Sequence, residues 1–295
     1  MIQYAQSRND LEALIEAESP GWLARASLRT EKFRWKQRYE EASTIWSQIK
    51  PVYMRLQGHA KCAYCERKLE SVDYGKVEQD VEHFRPKGNV RCWRAPTHLV
   101  EQGIACTPVP PAGQGYYLLS YHLFNYASAC KPCNSTLKKD YFPIAGAYSL
   151  HGEDPSQLVA ERPYLIYPIG DFDIPAEALI EFYGISPRPV LMAGHDRNRA
   201  LVTITFFGLD DETKRKNLFR ERAMLLLALF PLLEETKGAV PEAIRVEAQE
   251  LVEKCLAPDM AHANCCRSFK RLYDTNPQEA REVYQSIRNF VRSMS

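Results

Sequence analysis

No apolar run in this 295-residue chain approaches the roughly 18 residues that a membrane helix needs, so insertion into a bilayer is not expected. Residues 1–20 carry acids early and contain no uninterrupted apolar segment, which argues against a secretory signal and for a cytoplasmic protein. The chain also lacks a bulk charge: 38 Lys and Arg meet 37 Asp and Glu, so net charge alone does not mark a polyanion binder. Nine cysteines leave at least one unpaired in any disulfide scheme, which favours metal ligation in a reducing compartment. There is no His-Glu-x-x-His segment, no internal repeat and no low-complexity tract, which removes the helical zinc-hydrolase signature and the repeat architectures.

Helical periodicity and punctuation divide the sequence into four parts. Residues 1–57 read as helix, with Leu11, Leu14 and Ile15 at helical spacing and a longer helical stretch over 28–56 that Pro51 kinks or divides. Over 58–143 the periodicity fades while Cys, His, Pro and Gly become dense. The part from 144 to 209 is β-leaning, with strand-like runs at 163–168, 178–183, 190–192 and 201–207. From 210 to 295 helices return, near 211–233, 241–256 and 277–292. The implied class is α+β. An apolar run from Leu225 to Leu233 suits either the core or a partner surface, with the core preferred.

Cys62-Ala-Tyr-Cys65 and Cys130-Lys-Pro-Cys133 share a two-residue spacing that lets both thiolates of each pair reach one tetrahedral ion. Four thiolates leave zinc no open position, so the ion would be structural and the chemistry would lie elsewhere. Cys92, Cys106, Cys255, Cys265 and Cys266 form no second ligand set. Between the pairs, Asp80-Val-Glu82-His83-Phe-Arg85-Pro-Lys87 ends a strand-like segment with an acid beside a histidine. Adjacent strand residues point to opposite faces, so Glu82 and His83 can share a task only if the strand ends there. Asn125 precedes a short strand-like run, and Asn134 follows the last cysteine directly. Residues 83–139 hold seven Lys or Arg against one acid, and Arg85, Lys87, Lys138 and Lys139 are placed to meet phosphates. After residue 200, fourteen charges of each sign cancel.

Acid-His with a nearby proline, an Asn before a short strand, then Cys-x-x-Cys-Asn-x-x-x-Lys resembles the HNH (ββα-metal) endonuclease superfamily. More narrowly, the segments 61–66, 81–87, 142–143 and 203–209 are similar to the HNH nucleases of retron-associated and Septu-type anti-phage systems. The resemblance implies a zinc-stabilised ββα-metal core embedded in a largely helical protein. It implies His83 as general base, Asn125 orienting the loop that bears His83, and Glu82 and Asn134 as ligands of a catalytic Mg²⁺ or Mn²⁺. Glu stands where Asp is more common, and Asn stands at the last motif position where His is common; both keep an oxygen ligand. The implied substrate is nucleic acid, with DNA expected, and the implied partner is an ATPase of the defence system. Rival readings are a non-catalytic zinc module that binds nucleic acid or protein, a zinc hydrolase of small molecules, and a stand-alone restriction-type endonuclease.

Overall fold

Ser7 accepts the Asp10 amide hydrogen and starts α1 (Arg8–Glu18) in the computed structural model, which describes residues 1–293. Helix α2 (Trp22–Lys36) buries Trp22, Ala26 and Phe33 on one face and stops where Gln37 turns left-handed, at φ 52°. The helical stretch expected over 28–56 with its break at Pro51 is therefore interrupted earlier, at Gln37. Residues 37–45 form a loop that still delivers Ile45 to the core, and Pro51 lies in the first turn of α3 (Lys50–Leu56), where a missing amide is tolerated. Gln57, at the end of α3, is buried: its Nε2 donates to Lys61 O and Ser128 O, and its Oε1 accepts from Ser128 N. These bonds fix the N-terminal helices to the strand that carries Ser128.

Strands β1 (Gln79–His83) and β2 (Tyr126–Cys130) pair antiparallel, with Glu82 opposite Ala127 and His83 opposite Tyr126. A π-helical turn, Pro132–Lys138, comes after β2 at once, so the order is strand, strand, helix. The long excursion between the strands contains a short α-helix, α4 (Thr97–Val100), and 3₁₀ turns at Tyr117–Leu119 and Leu123–Asn125, and returns close under the His83 loop. Gly115 makes that return possible, because a Cβ there would meet Pro86 O and Asn89 N at 2.7 Å.

The stretch from 144 to 209 is less β-rich than its sequence predicts. Helix α5 (Ala176–Leu179) leads into β3 (Ile180–Tyr183), which pairs with β4 (Ser186–Pro189). Residues 163–168 and 190–192 form no ladder strand, and the strand expected over 201–207 is overturned: 201–206 lie in α6 (Gly194–Phe206) and Phe207 caps it. That helix buries Arg199, Ala200, Val202, Thr203, Ile204 and Phe206, nearly all round, which erases the one-sided period that marks a surface helix. Helices α7 (Lys216–Lys237), α8 (Glu242–Leu256), α9 (Ala263–Thr275) and α10 (Pro277–Ser293) complete the chain. Leu226, Leu229, Phe230 and Leu233 of α7 are buried, so that apolar run is core. Cys265 and Cys266 lie buried within α9. One cluster of buried apolar side chains draws on all four parts, from Met1 to Ile287. Among the described residues no helix is long and apolar enough to cross a membrane.

Candidate active site and metal centre

The first cysteine pair sits on a tight turn in which Glu66 N donates to Cys62 O and Cys62 N to Arg67 O, closed by a left-handed Glu66 at φ 58°. Ala63 N donates to Ser128 O, tying this turn to β2, whose last residue is Cys130. The sulfurs of Cys62, Cys65, Cys130 and Cys133 consequently converge, all within 4.8 Å of one another, and all four residues are buried. Cys65 Sγ and Cys130 Sγ are 3.8 Å apart. A tetrahedron with zinc–sulfur bonds of about 2.3 Å has sulfurs about 3.8 Å apart, so the donor set fits zinc. The other five cysteines join no such cluster among the described residues.

The C-terminal helices reach this centre. Arg215, just before α7, places Nη2 3.6 Å from Cys133 Sγ and donates from Nη1 to Phe207 O at the end of α6. Tyr64, inside the first Cys-x-x-Cys, stacks on Phe207 at 4.0 Å. Sequence reading missed Arg215, because nothing in spacing links it to a cysteine 82 positions earlier. A cation beside a zinc thiolate tunes the ion's binding, so Arg215→Ala is expected to weaken zinc affinity about 10–100-fold, read by chelator competition.

His83 is the last residue of β1 and its ring turns to the face opposite Glu82, yet both residues border the same small cleft at the strand end. Val81, Pro86, Lys87, Asn134, Ser135, Lys139 and Asp140 complete its lining. On one face of β1, Asp80 and Glu82 look onto the π-helical turn. Asp80 accepts from Asn134 Nδ2 (3.0 Å) and Ser135 Oγ (3.1 Å) and is ion-paired with Lys131 (2.6 Å). With its nitrogen held by Asp80, Asn134 has its amide oxygen left for a cation. Glu82 is buried, and Lys138 Nζ lies 3.0 Å from its Oε1 in ion-pair contact, which leaves Oε2 outside that pair. Burial outweighs that pairing and pushes the Glu82 carboxyl up to about 7.

His83 turns to the other face. Its ring packs edge-on to Trp46 (4.8 Å) and Tyr126 (5.0 Å), and its Nε2 lies 3.2 Å from Ser120 O. A carbonyl only accepts, so Nε2 carries the hydrogen and Nδ1 keeps the lone pair. Burial holds His83 well below the usual imidazole range, with the Lys87 charge acting in the same direction, and the ring is neutral at pH 7. Asn125 is buried beneath this loop: its Oδ1 accepts from Arg85 N (2.7 Å), and its Nδ2 donates to Arg85 O (3.0 Å) and Leu119 O (2.9 Å). Asn125→Ala strips three buried backbone groups of their partners and is expected to lower stability by about 3 kcal/mol or more, measured as a shift in urea midpoint at constant slope.

Two of the four cations expected on phosphate lie elsewhere. Arg85 is buried, with Nε on Glu161 at 2.9 Å, and it does not line the cleft. Lys138 is wholly buried against Glu82. Lys87 and Lys139 do border the cleft, Lys87 with its ammonium 4.5 Å over the Trp46 ring. Trp46, Asp80, Ser135 and Asp140 are site residues that motif reading passed over.

A stretch of 113 residues is 31% identical to the Septu protein PtuB of Bacillus mycoides (strain KBAB4), covering 38% of this chain and 32% of that protein. The match thus spans about a third of the relative's length. No family model matches the chain, and no solved structure does.

Proposed function

We propose that the chain is a metal-dependent endonuclease of the HNH class that hydrolyses phosphodiester bonds of DNA and serves as the nuclease of an anti-phage defence system. The observation that carries this reading is the meeting of Glu82, His83 and Asn134 in one cleft, beside a four-cysteine cluster suited to a structural zinc. Similarity to part of a Septu protein supports the defence role; a partner ATPase belongs to the same proposal.

In this reading Glu82 and Asn134 would hold Mg²⁺ or Mn²⁺, which would supply Lewis-acid stabilisation of the charge that develops on the phosphate and the leaving oxygen. His83 Nδ1 takes the proton from the attacking water. The Ser120 carbonyl holds the tautomer that leaves Nδ1 basic, and burial keeps the ring unprotonated. Asn125 fixes the backbone beyond His83, and Asp80 sets the Asn134 amide. Lys87 and Lys139 are the cations left to meet flanking phosphates.

The Glu82–Lys138 pair favours a second reading, a non-catalytic zinc module, because the carboxylate already has a charged neighbour. Supercoiled plasmid separates the two. Zinc-loaded protein should nick it with Mg²⁺ or Mn²⁺ and stop when EDTA is added; absence of nicking, both alone and with a proposed partner ATPase, would favour the module.

A further inference from the structure

The seven Lys and Arg of residues 83–139 fall into two sets in the fold. Arg85, Lys131 and Lys138 are neutralised by Glu161, Asp80 and Glu82. Lys87, Arg91, Arg94 and Lys139 make no ion pair among the described residues. Lys87 and Lys139 border the Glu82–His83 cleft, while Arg91 and Arg94 are exposed on the excursion between β1 and β2. Arg91 N donates to Asp140 O at 2.9 Å, and Arg91 bridges in parallel to Tyr141, so Arg91 lies next to the Lys139–Asp140 edge of the cleft.

Three of these four cations are held in place by contacts that leave their charge intact. The Lys87 ammonium lies 4.5 Å from the Trp46 ring and 5.5 Å from the Tyr39 ring, and the Arg91 guanidinium lies 5.7 Å over Tyr141. Tyr141 and Trp93 pack on Phe206 of α6, at 6.3 Å and 5.3 Å, which anchors the seat under Arg91 in the core. An aromatic face positions a cation but, unlike a carboxylate, does not cancel its charge. Lys139 is held by its backbone: Tyr141 N donates to Lys138 O across a turn in which Lys139 takes φ 45° and ψ −129°, a conformation that favours glycine and strains a residue with a side chain. The unpaired acids of the same stretch are Asp140, in the cleft, and Glu101, just past α4, so four free cations stand against two carboxylates.

We propose that Lys139, Arg91 and Arg94 continue the cleft as a strip that binds the phosphate backbone of DNA on one side of the bond to be cut. The inference rests on the nuclease reading and adds to it the direction in which the bound strand leaves the cleft, over Asp140 and along the excursion. Backbone contacts position a duplex without reading its bases, so the strip sets where the strand lies rather than which sequence is chosen.

The test is fluorescence anisotropy of a short labelled DNA duplex with the zinc-loaded full chain, without Mg²⁺ or Mn²⁺, repeated across NaCl concentrations. Each phosphate contact contributes about 0.9 to the slope of log affinity against log salt. Replacing both arginines, Arg91→Gln with Arg94→Gln, should flatten that slope by about 1.8 and weaken binding about tenfold or more near 0.1 M salt. Lys139→Gly should flatten it by about 0.9 while the thermal midpoint holds or rises, because glycine suits the turn. Arg281→Gln, which removes an exposed α10 cation paired with Glu234, should leave the slope unchanged. Equal slopes for wild type and the double variant, or the same loss per charge in Arg281→Gln, would overturn the strip alone. Failure of the wild type to bind duplex at any salt would overturn the nuclease reading and the strip with it.

Discussion

Replacing His83 by alanine is expected to cut the single-turnover rate of DNA cleavage by about 10²–10⁴, the usual worth of a positioned general base. The zinc content should be unchanged, because His83 contributes nothing to the cysteine cluster. The variant leaves a space bounded by Trp46, Tyr126 and the Ser120 carbonyl, which is shaped for an imidazole. Added imidazole should therefore restore part of the rate, with the rescue tracking the neutral form. A purely structural role for His83 predicts lower stability without rescue. Undiminished cleavage would remove His83 from the mechanism.

Stripping the four-cysteine centre is expected to have the largest effect on stability. Structural zinc contributes about 10–16 kcal/mol of apparent binding free energy in small zinc domains, as much as the whole stability of a typical protein. Here the knuckle is also held by Gln57, by the Ala63–Ser128 bond and by Tyr64 stacked on Phe207, so part of that loss is absorbed. We expect Cys130→Ser, or exhaustive chelation, to lower the thermal midpoint by about 10 °C or more, read by calorimetry. Cleavage should disappear with the zinc even when Mn²⁺ is supplied. Asn134 sits directly after Cys133, and β2, which ends at Cys130, holds β1 in register, so both halves of the cleft lose their support.

The four-cysteine cluster and the strand end at His83 were legible because short spacings dictate them. Each Cys-x-x-Cys is a local geometry, and Glu82-His83 at a strand end needs only that the strand stop before Pro86. The helices at both ends carried one-sided apolar patterns and lie close to where those patterns put them. What escaped depends on partners distant in sequence. Arg85 and Lys138 read as surface cations by residue type, but Glu161 and Glu82 take them into the interior. Asp140 reaches the cleft, and Trp46 reaches the His83 ring, from segments with no motif of their own. Residues 201–207 read as strand because Val202, Thr203, Ile204 and Thr205 are β-branched, and a helix buried on nearly every side supplies no polar face to contradict that reading.

The measurement that bears most directly on the proposed site is the rate of plasmid nicking as a function of Mn²⁺ concentration, for wild type and Glu82→Gln together. Glutamine keeps a hydrogen-bond acceptor for Lys138 but removes the ligand charge. If Glu82 holds the cleaving metal, the wild-type rate saturates with Mn²⁺ and the variant needs at least about tenfold more ion to reach half its maximum. Superimposable Mn²⁺ curves, or a wild-type rate indifferent to the metal, would contradict the account.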